Sequence, residues 1–359
     1  MKILFITRVI SPFQIELGQA LRELGHDAHI LFSTGDTGTR PKHWNGTLES
    51  WTHAVNIENN PLRLVPFIDN LRPGAIVYGG YRGFPLPLAK RLAKQRGIHL
   101  GFWLEKPLPT TTFRQVIRDV VVREVLSGAS FVWPIGPEAL RTYSQFVDER
   151  SQLHVVPYGE DLSKNLRFDR RYPKAGEPVR FLFSGKYQHR NNIWELLSAF
   201  RTIRQRYLDR AELVLSGYAG MDHEVRRYVA EDEILRPAVR HDVEFETWDD
   251  RLRPFRESDV LAMPGTHAGW GLIVPEALSL GMPVIAGRGM ESAEMLVDDS
   301  CGRLVGASAY QIVDALALYL DHPELIAKHG AKARQRAKVC DACAIGERMV
   351  ELLASLPPA

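Results

Sequence analysis

Short apolar runs alternate with amphipathic helical patterns along almost the whole chain. Such alternation is typical of βα units, whose parallel strands form a sheet that is covered by helices. A length of 359 residues exceeds what a single hydrophobic core usually serves, so we expect two domains. Each half has enough predicted strands for one doubly wound α/β sheet. The predicted strands are 3–7, 28–32, 75–78, 100–104, 131–134 and 154–157 in the first half, and 179–184, 212–216, 243–245, 260–263 and 284–286 in the second.

The segment between the two sets of strands has a different composition. Residues 161–178 are rich in Arg, Lys and Pro and contain few apolar side chains. This composition is typical of an interdomain linker, so the sequence predicts a domain boundary in this segment.

Charge and cysteine content restrict the class of protein. The 45 Lys and Arg residues and 43 Asp and Glu residues give a net charge of +2, which argues against nucleic acid as a partner. Cys301, Cys340 and Cys343 are too few, and odd in number, for a disulfide framework. The N-terminus enters a predicted strand directly, and no apolar run approaches the ~18 residues of a membrane span. These features predict a cytoplasmic protein.

Residues 264–286 carry the clearest functional signal. They are expected to form a strand end, a Gly-x-Gly loop at Gly269 and Gly271, and a short helix opened by Pro275. Free backbone amides at the start of a helix favour an anion such as a phosphate. The carboxylate of Glu276, in the same turn, would accept hydrogen bonds from a vicinal diol such as a ribose. Together these residues predict a nucleotide-diphosphate site.

This segment resembles the donor-site signature of the family 4 retaining glycosyltransferases, which have the GT-B fold of two Rossmann-like domains facing across a cleft. The family pattern is approximately E-G-[FW]-G-x4-E-A-x3-G-x-P-V-I-A. The chain departs from it at Ala268, where the family has the first Glu of an E-x7-E pair. The matching residues are Gly269, Trp270, Gly271, Glu276, Ala277, Gly281, Pro283, Val284, Ile285 and Ala286.

The resemblance implies both a domain plan and a reaction. Residues 1–163 would form the acceptor-binding domain, joined by a closing helix at 344–359, and residues 164–343 would form the nucleotide-sugar donor domain. The enzyme would transfer a sugar to a hydroxyl of a glycan, glycolipid or small glycoside, with retention, in bacterial surface polysaccharide or glycoconjugate synthesis. The chain has no Asp-x-Asp motif, so we expect no metal and no cofactor besides the donor substrate.

A second element of the family identifies cationic residues for the diphosphate. Residues 181–192 are similar to the pattern F-x-G-[RK]-L-x-x-x-K-G, which places Lys186 on the donor diphosphate. The second cation of the pattern falls on Asn191, so we assign its role to Arg190 beside it. Gly217 lies in a turn that resembles the family's V-x-G-x-G, with a purely structural turn glycine as the alternative. The donor-binding residues implied by the resemblance are Gly185, Lys186, Arg190, Gly217, Gly269, Trp270, Gly271, Leu272 and Glu276.

The residues expected to face the transferred sugar are Glu105 and His267. Glu105 lies at the carboxyl end of a predicted strand, where ligands of open α/β sheets bind, and in a W-x-E sequence that resembles some bacterial polysaccharide-assembling members. Ala268 cannot supply the family carboxylate, so His267 or a residue of the other domain would replace it. Two alternatives stay open: a non-catalytic nucleotide-sugar-binding homologue, and a GT-B-like nucleotide-sugar epimerase.

One predicted helix has a second interpretation. In residues 112–126, three arginines lie beside apolar residues at helical spacing. These residues are Arg114, Arg118 and Arg123, with Val116, Ile117, Val120, Val121 and Val125. A basic amphipathic helix can lie on an anionic membrane surface, which would place the protein at the inner face of the membrane. The alternative, which we favour from the sequence, is a core helix with a solvated cationic face.

Overall fold

A computed structural model gives the fold of the chain. It describes residues 1–9, 11–33, 49–80, 85–107, 110–149, 151–174, 176–242, 245 and 247–358. The chain divides into an N-terminal unit, Met1–Asp161 with Cys340–Ala359, and a C-terminal unit, Leu162–Val339. The boundaries expected from the sequence lie within four residues of these.

The N-terminal unit contains a seven-stranded parallel sheet in the order β3-β2-β1-β4-β5-β6-β7. This order is doubly wound, so right-handed connections place helices on both faces. The strands are β1 (Lys2–Thr7), β2 (Asp27–Phe32), β3 (Thr52–Ala54), β4 (Ala75–Tyr78), β5 (His99–Leu104), β6 (Phe131–Pro134) and β7 (Gln152–Leu153), and the helices that follow them are α1 (Pro12–Glu23), α2 (Leu64–Leu71), α3 (Leu86–Arg96), α4 (Thr112–Leu126) and α5 (Pro137–Tyr143).

The C-terminal unit contains a six-stranded parallel sheet in the order β10-β9-β8-β11-β12-β13. Two of its inner strands, Val260–Met263 and Val284–Gly287, are apolar and fully buried, as expected for a parallel sheet covered on both faces. The strands are β8 (Val179–Tyr187), β9 (Ala211–Gly220), β10 (Val239–His241), β11 (Val260–Met263), β12 (Val284–Gly287) and β13 (Gly302–Val305), and the helices are α6 (Ser163–Leu166), α7 (Ile193–Tyr207), α8 (Asp222–Glu231), α9 (Arg253–Glu257), α10 (Ile273–Ser279), α11 (Glu291–Leu296), α12 (Ala309–Asp321) and α13 (Glu324–Ala337).

One predicted strand ends early, and another falls mainly outside the described residues. The strand expected at 154–157 is replaced by β7, which ends at Leu153; the amides of His154 and Val156 still donate to the carbonyls of Val132 and Pro134 in β6, so only the regular pairing stops early. Residues 243 and 244 of the strand expected at 243–245 lie outside the described residues, and the edge strand described nearest to it is β10.

Two edge strands were not predicted at all. The first, β3, has only three residues, and β13 contains a glycine and an arginine, so neither has an apolar run. Each pairs with one neighbouring strand on one side only. Their extended backbone is therefore fixed by that neighbour rather than by their own sequence.

The last helix, α14 (Ala342–Ala354), belongs to the N-terminal unit and packs against α1. The Asp341 carboxylate caps its first turn by accepting a hydrogen bond from the Cys343 amide at 3.0 Å. Because of this cap, the helix begins two residues before the predicted segment 344–359. Met349 of α14 is fully buried.

Helix α4 does not behave as the favoured interpretation of the sequence required. Only Val122, Val125 and Leu126 are buried. The apolar residues Val116 and Val120, with their neighbours, are exposed, so the prediction that this face belongs to the core was wrong. In the described part of the chain, no helix is long and apolar enough to cross a membrane.

We expect Met349→Ala to lower the free energy of unfolding by about 2–5 kcal/mol, because it removes a fully buried side chain and leaves a cavity. The measurement is the urea midpoint. Glu347→Ala, at an exposed position of the same helix, is the matched control and should stay close to wild type. Equal midpoints for the two variants would contradict the packing of α14.

Candidate functional site

The strand order of the C-terminal unit reverses at β8. This strand pairs with β9 on one side and with β11 on the other, both in parallel. The connections after β8 and after β11 therefore turn away from each other and leave a crevice outside the carboxyl ends of the strands. Ligands of open α/β sheets bind in such crevices, so these two connections form the candidate site.

The end of β8 supplies Gly185 and Lys186. Gly185 has φ +138°, in the region that favours glycine, and a side chain there would approach Met263 at the end of β11. The Lys186 side chain is half-buried, and its Nζ lies 5.9 Å from the centre of the Tyr218 ring. This contact restrains an ammonium group at the carboxyl end of the sheet.

The position of the family's second cation has a structural role in this chain. Asn191 is buried, and its Nδ2 donates to the carbonyl of Lys186 at 2.7 Å. Arg190, to which we assigned that charge, is exposed and donates from Nε to Gln188 at 3.0 Å. Asn191 therefore fixes the turn that follows Lys186, while Arg190 presents its guanidinium at the surface.

Backbone contacts join the connection after β8 to the one after β11. The amide of Thr266 donates to the carbonyl of Arg190 at 2.8 Å. The connection after β12 joins them, because the Ala268 amide donates to the Gly289 carbonyl at 3.2 Å. A side chain at Gly287 would lie 1.9 Å from a neighbouring carbonyl, so this close approach requires glycine.

The predicted Gly-x-Gly loop leads directly into α10. Gly271 has φ +95°, and the carbonyls of Trp270 and Gly271 both accept hydrogen bonds from the Ser292 hydroxyl, at 2.9 and 2.8 Å. The helix begins at Ile273, so the prediction that Pro275 opens it was wrong by two residues. Proline is tolerated inside the first turn because its missing amide hydrogen would have no partner in the helix.

Glu276 is buried in an ion pair that the sequence did not predict. The Nε and Nη2 groups of Arg251 both donate to its Oε1, at 3.0 and 2.7 Å. The guanidinium also lies over the ring of Trp248, 3.3 Å from its centre. The side chains of Arg251 and Glu276 are only 11% and 7% exposed, so this pair fixes the position of the carboxylate.

The sequence contains no pattern that identifies Arg251. It lies in a short turn at Asp250–Leu252 and reaches Glu276 across 25 residues, a pairing that only the fold reveals. The ring of Tyr218 beside Lys186 was missed for the same reason. Both are partners of predicted residues.

The two predicted sugar-side residues belong to different units. His267 is half-buried in the loop after β11, next to Ala268. Glu105 is exposed and follows β5 in the N-terminal unit, as predicted. Its carboxylate accepts a hydrogen bond from Tyr158; burial raises the pKa of that phenol, and the charge of Glu105 raises it further. The roles of Glu105 and His267 stay predictions.

Gly217 is explained by packing. A side chain at this position would lie 2.0 Å from the ring of Tyr187, which is fully buried beside it. Close packing against Tyr187, a purely structural role, is therefore sufficient to explain a glycine at this position. Its contact with the donor stays a prediction.

Comparison with known proteins gives a family match for the C-terminal unit. Residues 165–336 match the family described as Glycosyl transferases group 1. The chain is 27% identical to the D-inositol 3-phosphate glycosyltransferase of Pseudarthrobacter chlorophenolicus over 237 residues, which are 62% of this chain and 54% of the relative. It is 38% identical to the trehalose synthase of Pyrococcus horikoshii over 84 residues, 23% of this chain and 20% of the relative. The chain therefore spans about half the length of the first relative.

Solved structures match almost the whole chain. HepE of Anabaena in complex with UDP has a TM-score of 0.76 and 17% identity, over 99% of this chain and 100% of that chain. Sucrose-phosphate synthase from Thermosynechococcus elongatus has a TM-score of 0.73 and 16% identity, over 99% and 98% of the two chains. This likeness, with the two parallel sheets, confirms the predicted GT-B fold.

Gly217→Ala should destabilise the protein by about 1–3 kcal/mol, because the added methyl group overpacks against the Tyr187 ring. Introducing the same substitution into a Tyr187→Leu background should cost much less, since the ring is absent. Urea midpoints of the four proteins in this cycle give the coupling. Additive effects would show that the ring is not the reason for glycine.

Arg251→Met should cost about 3–5 kcal/mol of stability, because it leaves the buried Glu276 carboxylate without its cation. The double variant Arg251→Met/Glu276→Leu should recover part of this loss. Arg240→Met, which breaks an exposed ion pair with Glu257, is the control and should remain close to wild type. The pairing is wrong if both arginine variants unfold at the same urea concentration.

Proposed function

We propose that this chain, which is a family 4-like glycosyltransferase with the GT-B fold, transfers a sugar from a nucleotide-diphosphate sugar to an acceptor hydroxyl, with retention and without a metal. The supporting observation is that the segment carrying Lys186 and the loop leading to Glu276 are joined at the switch point of the C-terminal sheet. A cation and a carboxylate at one crevice match the diphosphate and the ribose, respectively, of a nucleoside diphosphate.

Each described group has a role in donor binding. Lys186 would bind the diphosphate, with Arg190 at the exposed side of the same loop. Glu276, which Arg251 holds in place, would accept hydrogen bonds from the two ribose hydroxyls. The glycines at 185, 269 and 271 would let the backbone approach the donor.

The proposed chemistry breaks the bond between the sugar anomeric carbon and the phosphate oxygen and forms a bond to the acceptor oxygen. Negative charge grows on the leaving diphosphate, so the fixed cation of Lys186 lowers the barrier. The leaving phosphate takes the proton of the acceptor hydroxyl on the same face of the sugar. This front-face route does not require a carboxylate nucleophile and is therefore compatible with Ala268.

The acceptor is the less constrained half of the proposal. We propose a glycan, glycolipid or small glycoside of bacterial surface polysaccharide or glycoconjugate synthesis, and the name of the Pseudarthrobacter relative adds a phosphorylated polyol, D-inositol 3-phosphate, to the acceptors to test. The UDP complex of HepE makes a uridine nucleotide the first donor to test. Glu105 and His267 would contact the transferred sugar.

One observation favours a second candidate function. Ala268 removes the carboxylate that the family places beside the donor sugar, which would suit a non-catalytic nucleotide-sugar-binding homologue. Such a protein would keep the donor residues Lys186 and Glu276 and lose only turnover.

We expect Lys186→Ala and Glu276→Ala each to weaken donor binding by about 1–3 kcal/mol, roughly five- to 150-fold, because each removes a charged contact. Thermal shift across UDP- and GDP-sugars measures this, since a bound donor stabilises the native state. Arg180→Ala is the matched control: it removes a cation from the other end of β8 and should leave donor affinity unchanged.

Incubation of the wild type with radiolabelled UDP- and GDP-sugars, in the presence of EDTA, separates the alternatives. Transfer or hydrolysis that survives EDTA, with the anomeric configuration of the product retained by NMR, supports the proposal. Tight binding without turnover supports the non-catalytic homologue, and inversion at one sugar carbon supports an epimerase. Unchanged donor affinity in both alanine variants would remove the assigned site.

A further inference from the structure

Helix α4 presents an uncovered apolar face. Among the described residues, five of the eleven exposed large hydrophobic residues lie on this one helix. Their exposed fractions range from 46% for Val121 to 77% for Phe113. A contiguous exposed apolar surface of this kind, unlike single exposed residues, marks an interaction site. The five residues are Phe113, Val116, Ile117, Val120 and Val121.

The five residues form one stripe rather than scattered positions. At about 100° of rotation per residue they cover an arc of roughly 140° on the helix. The buried residues Val122, Val125 and Leu126 lie on the opposite side and attach α4 to its own unit. The stripe therefore faces outward because the rest of the helix is already packed.

Arginines border the stripe on both sides. By the same rotation, Arg114 lies at one edge of the arc and Arg123 at the other, and both are exposed. Arg118 is paired with Asp119 at 3.0 Å on the flank of the helix. Glu124 is the one acidic residue within the arc, at its C-terminal end. An apolar stripe between two cations is the pattern of a helix that lies in a membrane interface.

The neighbouring helix extends this cationic surface. Lys90 of α3 donates to the backbone carbonyl of Glu124 at 2.6 Å, which places α3 beside the end of α4. Helix α3 contains four cations and no acidic residue, although Arg96 is paired with Asp69. The two helices together have seven cations and two carboxylates, whereas the chain as a whole has a net charge of only +2.

The positive charge of α3 and α4 favours a membrane over a second copy of the chain as the partner of this face. A twofold dimer brings the same surface patch of each copy together. Here that arrangement would bring two cationic borders into contact, and like charges at such an interface are costly. An anionic lipid surface attracts the same arginines and accepts the apolar stripe between them.

We propose that the exposed face of α4, together with the cations of α3, docks on a membrane surface that contains anionic lipids. The helix lies flat in the interface, with Phe113 and Val120 among the acyl chains and Arg114 and Arg123 at the headgroups. This surface adds a location to the proposed function without depending on it, because the docking residues lie in the N-terminal unit and the donor residues in the C-terminal unit.

The test is co-sedimentation of the full chain with phosphatidylcholine vesicles containing roughly one third phosphatidylglycerol. The wild type should bind these vesicles on the order of tenfold more tightly than pure phosphatidylcholine vesicles. Val116→Ser/Val120→Ser should weaken binding on the order of tenfold, because it removes apolar surface from the stripe. Arg114→Gln/Arg123→Gln should weaken it similarly at low salt, and the difference should disappear at high salt.

Tyr310→Ser is the matched control, since it removes a similarly exposed apolar side chain from α12 in the other unit and should change nothing. Thermal shift with a UDP-sugar on every variant reports the donor site separately. Docking through α4 is overturned if the wild type stays in the supernatant or if the valine variant sediments as the wild type does. It is also overturned if that variant turns a dimer into a monomer without changing vesicle binding.

Discussion

The parallel pairing of β8 with both β9 and β11 is the constraint on which the candidate site depends. Parallel strands cannot be joined by tight turns, so each carboxyl end must continue into a connection that crosses a face of the sheet. Where the strand order reverses, two such connections diverge and leave their first residues uncovered by helices. Lys186 and the loop before α10 lie at this switch point because of the strand order of the C-terminal sheet. The N-terminal sheet reverses its strand order in the same way, at β1, and Arg8 follows that strand.

Much of this fold could be predicted from the sequence because its central strands are apolar runs of four or more residues. Strands such as Ala75–Tyr78 and Val260–Met263 are buried on both faces, and burial leaves a clear sequence pattern. The edge strands Thr52–Ala54 and Val239–His241 have no such pattern, since they take their conformation from one neighbour. The start of α14 depended on a single side chain, the Asp341 cap, which shifts a helix end by two residues without changing its apolar periodicity.

The candidate site, like the fold, has a part that could be predicted from the sequence and a part that could not. Glycine positions and the Glu276 carboxylate could be predicted because a loop motif records them at fixed spacing. Arg251 could not, because its partner is 25 residues away and the pair is created by the turn that places Trp248 under the guanidinium. The exposed face of α4 was misjudged for a related reason. Periodicity shows that a helix has an apolar stripe, but only the packing of Val122 and Leu126 shows which stripe is already used.

Ala268 and Arg251 together change the charge balance of the proposed donor site. The family pattern has two carboxylates eight positions apart, and this chain keeps only Glu276, which already has a guanidinium partner. Among the residues assigned to the donor, Lys186 and Arg190 are cations, and Glu276, already paired with Arg251, is the carboxylate. This surplus of positive charge suits the diphosphate leaving group more than the sugar, because a cation stabilises the additional negative charge that grows on the diphosphate as the bond to the sugar breaks. Stabilisation of the leaving group would then compensate for the carboxylate that position 268 lacks, and the acceptor proton would be left to the phosphate itself.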